Sequence, residues 1–167
     1  MTIYRILTFI LVPFAAIFGG IGFFILLAAL GNPALLLPVF IFGSFAIYVF
    51  TSIKFLYRSI DTGRSSKASL RDWIRVNAFV SFFMGTMFLL NAISIFFAKD
   101  AELRTYIDEF IKTQPNVPKI LSPEVFLKMM KVVAGFMFVL SITLLVHIRI
   151  NFRLLKQYAD LFGPKEQ

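Results

Sequence analysis

Two asparagines, Asn77 and Asn91, stand in a stretch (residues 76–97) that is otherwise apolar enough to cross a bilayer. A carboxamide carries two N–H donors and a carbonyl acceptor, and hydrocarbon offers no water to satisfy them. Such side chains therefore either join helices by hydrogen bonds or line a polar pocket for a small substrate or ion. Because the first role is the commoner one in small membrane proteins, we favour helix packing and keep the pocket as the alternative.

Small and polar residues share one face of the predicted helix with these asparagines. At about 100° per residue, Ser81, Gly85 and Asn91 all lie within about 80° of Asn77. Large side chains such as Phe82 fall on the other side, where lipid would suit them. We therefore expect the polar face to contact protein or a water-filled cavity.

The last apolar run of the chain carries two further polar candidates, Thr143 and His147, spaced i and i+4. A lone histidine near the end of a membrane span is interpreted as a packing residue at headgroup level, with a proton relay as the alternative. Both residues are counted with the candidate polar face or pocket.

The chain lacks the residues that several kinds of chemistry require. The chain has one histidine and no cysteine, so bis-histidine haem ligation, an HExxH zinc site and a thiol relay are excluded. No Asp or Glu falls within an apolar run, which weakens proton- or sodium-coupled transport. Ser81 and Ser141 lack the G-x-S-x-G context of a hydrolase. We expect no enzymatic activity, no cofactor and no metal.

The elements that position these residues are membrane-spanning helices. Of 167 residues, 59% are hydrophobic and 22 are Phe, more than one soluble core can bury. Four continuously apolar runs approach the ~20 residues that span a bilayer, which argues against the alternating pattern of a β-barrel. The sequence predicts an all-α membrane protein, a single domain built as a four-transmembrane-helix bundle. The predicted spans are 6–30, 34–53 (extended to about 60), 70–98 and 123–157.

Between the third and fourth spans, apolar residues recur with helical spacing over 101–112, starting with Leu103, Tyr106 and Ile107. This predicts one short amphipathic helix on the outer face, interpreted as a connector rather than a lid or docking surface.

Basic residues are distributed unevenly about the spans. Eleven Lys and Arg fall on one side and six on the other. By the positive-inside rule, both termini and the 54–75 loop are cytoplasmic, in an inner (plasma) membrane of the bacterial type. The basic residues of that loop are candidates for contact with anionic lipid or a protein partner, and nucleic acid is not expected. They are Lys54, Arg58, Arg64, Lys67, Arg71 and Arg75.

Glycines near the middle of the first two spans predict close helix packing, namely Gly19, Gly20 and Gly43. The leading functional hypothesis is a non-enzymatic membrane protein acting by helix association, as a homo-oligomer or an accessory subunit. The alternative is a small channel or carrier with a polar pocket between the third and fourth spans. Binding of membrane lipid is a third possibility.

Overall fold

The computed structural model describes residues 1–113 and 122–163. These residues form five α-helices and no strand, apart from an isolated parallel bridge between Ser66 and Phe162. The all-helical class is therefore confirmed. The helices are α1 (Thr2–Ala29), α2 (Leu36–Phe55), α3 (Ala68–Phe97), α4 (Asp100–Thr113) and α5 (Pro123–Gln157).

Four helical segments are long and apolar enough to cross a membrane, as in a multi-pass membrane protein: α1, α3, α5 and the continuous stretch Pro33–Asp61 that contains α2. The α5 helix has the predicted bounds, while α1 begins at Thr2 rather than at residue 6. At the start of α5, the backbone N–H of Val125 bonds to Ser122 Oγ at 3.4 Å, so Ser122 caps the helix.

The described chain forms two compact units, and each is treated by itself. The first contains Met1–Gly85 together with the residues from Thr143 onward, and the second contains Thr86–Ile142.

In the first unit, α1 and α2 approach closely at two glycines of α1. A Cβ added to Gly19 would lie 3.2 Å from the Cβ of Ala46, and one added to Gly22 would lie 3.3 Å from the Cβ of Phe42. Gly19 is thus a close-packing residue, as expected. No described atom lies within 4 Å of a Cβ added to Gly20 or to Gly43, but the backbone nitrogen of Gly43 lies 3.8 Å from a Cβ added to Gly22. Gly43 therefore contributes its backbone to this contact, whereas Gly20 does not lie at it. The reason is helical geometry: Gly22, three residues after Gly19, shares its face, whereas Gly20 is turned by about 100°.

The far end of α2 widens into a π-helical turn, Leu56–Asp61. Gly63, with φ +63°, then turns the chain in a conformation that favours glycine. The following loop is tied to the C-terminal segment: Ser66 N–H donates to the carbonyl of Leu161 at 2.8 Å, and Gly163 N–H donates to that of Ser66 at 3.2 Å. The loop before α3 is therefore held by backbone hydrogen bonds.

In the second unit, α4 packs on the start of α5 through a buried cluster of Leu103, Ile107 and Leu127. Arg104 makes a two-point ion pair with Glu124 across this contact. Ile111 also packs against this cluster, whereas Tyr106 and Phe110 are 71% and 53% exposed. The predicted amphipathic helix is present, and the chain itself covers part of its apolar face.

Candidate functional site

The most polar buried site of the first unit surrounds His147, which is fully buried on α5. Its Nε2 lies 2.9 Å from the hydroxyl of Thr8 on α1, and its Nδ1 lies 2.7 Å from the hydroxyl of Tyr48 on α2. One imidazole thus joins three helices. Six residues form this polar group, which we call the His147 cluster: Tyr4, Thr8, Tyr48, Ser52, His147 and Asn151.

Aromatic contacts cover the imidazole as well. The ring of Tyr4 stacks on it with centroids 4.8 Å apart and planes within 8°. The ring of Tyr48 meets it edge-on at 5.5 Å and 77°. Because both nitrogens are hydrogen-bonded and one face is stacked, His147 is held in a single orientation.

The hydrogen bonds of the cluster run in one direction. The carbonyl of Tyr4 can only accept, so the Thr8 hydroxyl, 2.7 Å away, donates its proton to it. Thr8 Oγ1 then accepts from Nε2–H of His147, which leaves Nδ1 as the acceptor for the Tyr48 hydroxyl. In this arrangement Nδ1 of His147 accepts the proton of the Tyr48 hydroxyl. The geometry therefore assigns His147 as a neutral imidazole carrying its proton on Nε2.

Asn151, one turn further along α5, extends the cluster. Its Nδ2 donates to Ser52 Oγ at 2.7 Å and to the Tyr48 hydroxyl oxygen at 3.3 Å. Ser52 in turn donates to the carbonyl of Tyr48 at 2.7 Å. The carbonyl oxygen of Asn151 is buried and has no hydrogen-bond partner in the described chain. Apart from this acceptor, the side chains satisfy one another, which suits interhelical contact rather than an open binding site.

The predicted polar face of α3 is only partly buried. Asn77 is 4% exposed and donates to the carbonyl of Trp73 on its own helix at 2.8 Å. Ser81 is fully buried, and its hydroxyl has no partner among the described residues. A Cβ added to Gly85 would lie 3.3 Å from a methyl group of Leu144, so α3 and α5 pack closely there. Thr143, on α5, is half-buried.

Asn91 departs from the predicted face. It is exposed, and its carboxamide donates to the carbonyl of Met87 at 2.9 Å. Asn91 and Asn77 lie only about 40° apart around the helix axis, but the residues that surround a long helix change along its length. Ala92, the next residue, is fully buried, which places Asn91 at the edge of the covered surface.

Three of the six basic residues of the 54–75 loop come together. Lys54, Arg58 and Lys67 line a common groove. Arg71 instead lies 5.8 Å from the ring centroid of Phe162. The structure records no common site for Arg64 and Arg75 within the described chain.

His147 was a candidate in the sequence, but the other five residues of the cluster were not identified: Tyr4, Thr8, Tyr48, Ser52 and Asn151. A signal was present, since these residues form polar pairs at i and i+4 on three different helices: Tyr4 with Thr8, Tyr48 with Ser52, and His147 with Asn151. Residues with this spacing share a helix face. Three such pairs in three spans would have predicted a common polar contact.

No family model, no curated protein and no solved structure matches the chain. Its function therefore has to be argued from the geometry of its own side chains.

Proposed function

We propose that this chain is a non-enzymatic multi-pass membrane protein that acts by associating with a second copy of itself. The contact surface is an exposed strip of α3 that we call the Asn91 face. It consists of Met87, Leu90, Asn91 and Ser94.

The observation that carries the proposal is the exposed carboxamide of Asn91 within an apolar span. Side chains tilt toward the start of their helix, and the bond to the Met87 carbonyl shows the amide pointing away from the nearby end of α3. One N–H is satisfied by that bond, whereas the second N–H and the carbonyl oxygen have no partner in the described chain. If these groups faced lipid, they would lack hydrogen-bond partners, and this would cost free energy. Contact with another protein surface removes that cost.

A second copy fits this surface because of symmetry. Copies inserted with the same topology place Asn91 at the same depth, and a two-fold axis along the membrane normal brings the two side chains together. A carboxamide is self-complementary, since it offers both donor and acceptor. The flanking Met87 and Leu90 are 58% and 54% exposed and supply apolar contact around the amide pair.

The topology proposed for this assembly has both termini and the 54–75 loop in the cytoplasm of a cell with a bacterial-type inner membrane. It is supported by the excess of Lys and Arg on that side, eleven against six.

A channel or carrier is the second candidate, and one observation favours it. Ser81 is fully buried beside the α3–α5 contact with its hydroxyl unpartnered in the described chain. One hydroxyl is a small part of a substrate pathway, and neighbouring Asn77 already uses an amide N–H within its own helix. Solute flux into liposomes that depends on Ser81 would favour the carrier over the association proposal.

Replacing Asn91 by Leu is expected to weaken self-association in liposomes about three- to thirtyfold. This range follows from the ~0.6–2 kcal/mol that an interhelical polar contact contributes. Fluorescence energy transfer between donor- and acceptor-labelled copies, measured while lipid dilutes the protein, gives the dissociation constant.

Asn91→Gln keeps a carboxamide and should retain association. Asn77→Leu makes the same chemical change on the buried side of α3 and should leave the dissociation constant unchanged. A parent protein that stays monomeric at every dilution, or equal dissociation constants for the parent and Asn91→Leu, would contradict the proposal.

A further inference from the structure

A groove of about 500 Å³ lies between the end of α2 and the beginning of α3. Nine described residues line it; three are cations and none is an acid. Lys54 and Arg58 come from the α2 side, and Lys67 comes from the loop before α3. Such a concentration of positive charge in a concave surface favours an anionic ligand.

Hydroxyl groups complete the polar part of this basic groove. Thr51, Ser66 and Ser69 all contribute to its wall. The Thr51 hydroxyl donates to the carbonyls of Ile47 and Tyr48, and the Ser66 hydroxyl is paired with that of Ser59, so Ser69 is the hydroxyl offered to a ligand. Ser69 lies in the first turn of α3, where the helix dipole is positive and early backbone N–H groups lack intrahelical partners. The combination of cations, the Ser69 hydroxyl and a helix start matches the acceptor oxygens of a phosphate.

Two residues of the groove wall, Arg58 and Ser66, are held in place by hydrogen bonds. Arg58 lies in the π-helical turn, and its Nε donates to the carbonyl of Ser65 at 3.1 Å, which leaves the two Nη groups for a ligand. Ser66 is 5% exposed and is fixed by the backbone bonds to Leu161 and Gly163. A preorganised site loses less entropy on binding than a flexible one.

Two acids of the neighbouring segments, Asp61 and Asp72, lie beside arginines. Asp61 accepts from Arg5 of α1 at 2.5 Å. Asp72 lies 3.8 Å from Arg71. Neither arginine belongs to the set that lines the basic groove.

The groove changes from cationic to apolar along its length. Ile47, Leu70 and Trp73 form its apolar part, and Trp73 is 55% exposed. A second groove of about 280 Å³, lined by Ser69, Asp72, Trp73 and Val76, continues past Trp73. Val76 is 63% exposed. Val76 begins the apolar stretch of α3, so this path leads from the charged end toward the depth of the membrane.

We propose that the basic groove binds the headgroup of one anionic phospholipid, with Lys54, Arg58 and Lys67 at the phosphate and an acyl chain running past Trp73 and Val76. A free phosphate would use the cationic end but not the apolar path. The graded lining therefore favours the lipid over soluble phosphate. The proposal is independent of self-association.

The test uses Trp73 as a reporter, because it is the chain's one tryptophan and it lines both grooves. The full chain is reconstituted in phosphatidylcholine vesicles containing equal mole fractions of either acyl-brominated phosphatidylglycerol or acyl-brominated phosphatidylcholine. Bromine quenches a nearby tryptophan, so the ratio of quenching measures lipid preference. We expect the parent to prefer phosphatidylglycerol, and Lys54→Gln/Arg58→Gln to reduce that preference about thirtyfold, since each of the two surface cations contributes ~1 kcal/mol.

The matched control is Arg64→Gln/Arg75→Gln, which removes the same charge from the same loop but outside the groove, and should leave most of the preference. Arg58→Lys keeps the charge but loses the geometry of the bond to Ser65. If this variant still prefers phosphatidylglycerol, the loss in Lys54→Gln/Arg58→Gln is due to charge rather than to altered folding. Equal loss in both double variants, or no preference in the parent, would overturn the proposal. So would a change in Trp73 emission produced by inorganic phosphate, at matched ionic strength, in vesicles without anionic lipid.

Discussion

His147→Ala is expected to lower the free energy of unfolding by about 2–4 kcal/mol. Truncation removes the hydrogen bonds to Thr8 and Tyr48 and the stacking on Tyr4, and it leaves a cavity where three helices meet. The hydroxyl of Tyr48 then loses its acceptor in a buried site, which adds a cost of its own.

The measurement is reversible unfolding in mixed micelles, followed by circular dichroism. Val146→Ala truncates a residue next in sequence whose side chain is 42% exposed, and it should cost less than about 1 kcal/mol. Tyr48→Phe deletes a single hydroxyl, and its loss of unfolding free energy should lie between the other two, at about 1–2 kcal/mol. Equal losses for His147→Ala and Val146→Ala would contradict the view that the His147 cluster holds the helices together.

Gly19→Leu is expected to have the next largest effect, a destabilisation of about 1–3 kcal/mol or a repacking of α1 against α2. The first atom of any side chain at this position would already be 3.2 Å from the Cβ of Ala46. Because that atom belongs to the root of a side chain, it cannot move without the α2 backbone. Thermal unfolding in detergent measures the effect.

Gly20→Leu is the matched control, since no described atom lies within 4 Å of a Cβ there. Replacing an open helical glycine should leave stability unchanged or raise it. The double change Gly19→Ala/Ala46→Gly should recover stability lost in Gly19→Ala, because it moves one methyl group across the same contact. Equal changes in stability at positions 19 and 20 would contradict a close contact between α1 and α2 at Gly19.

The helical segments could be predicted because the length of each apolar run can be read from the sequence. Continuous apolar runs fix the spans, and Ser122 with Pro123 marks the start of α5. Which residues meet is a different matter, because it depends on how each helix is rotated toward its neighbours. Gly19 and Gly20 have equal standing in the sequence, and only the rotation of α1 places Gly19 against Ala46.

The contacts of the polar residues could not be predicted from the sequence either. Asn77 and Asn91 have one residue type and nearly one angular position, yet Asn77 is buried and Asn91 is exposed. His147 was identified as a candidate, but its partners Thr8 and Tyr48 are 139 and 99 residues away in sequence. Long-range pairing of this kind leaves only a weak local trace, the i and i+4 spacing of polar pairs.

Self-association through the Asn91 face is tested most directly by disulfide cross-linking at Ser94, which is exposed on that face. The natural chain has no cysteine, so Ser94→Cys introduces the single thiol. We expect mild oxidation in the membrane to give a disulfide-linked dimer for Ser94→Cys, and little or none for Val133→Cys, a 53% exposed position on α5. Equal cross-linking at the two positions, or none at Ser94 in a membrane crowded with the protein, would contradict the proposed interface.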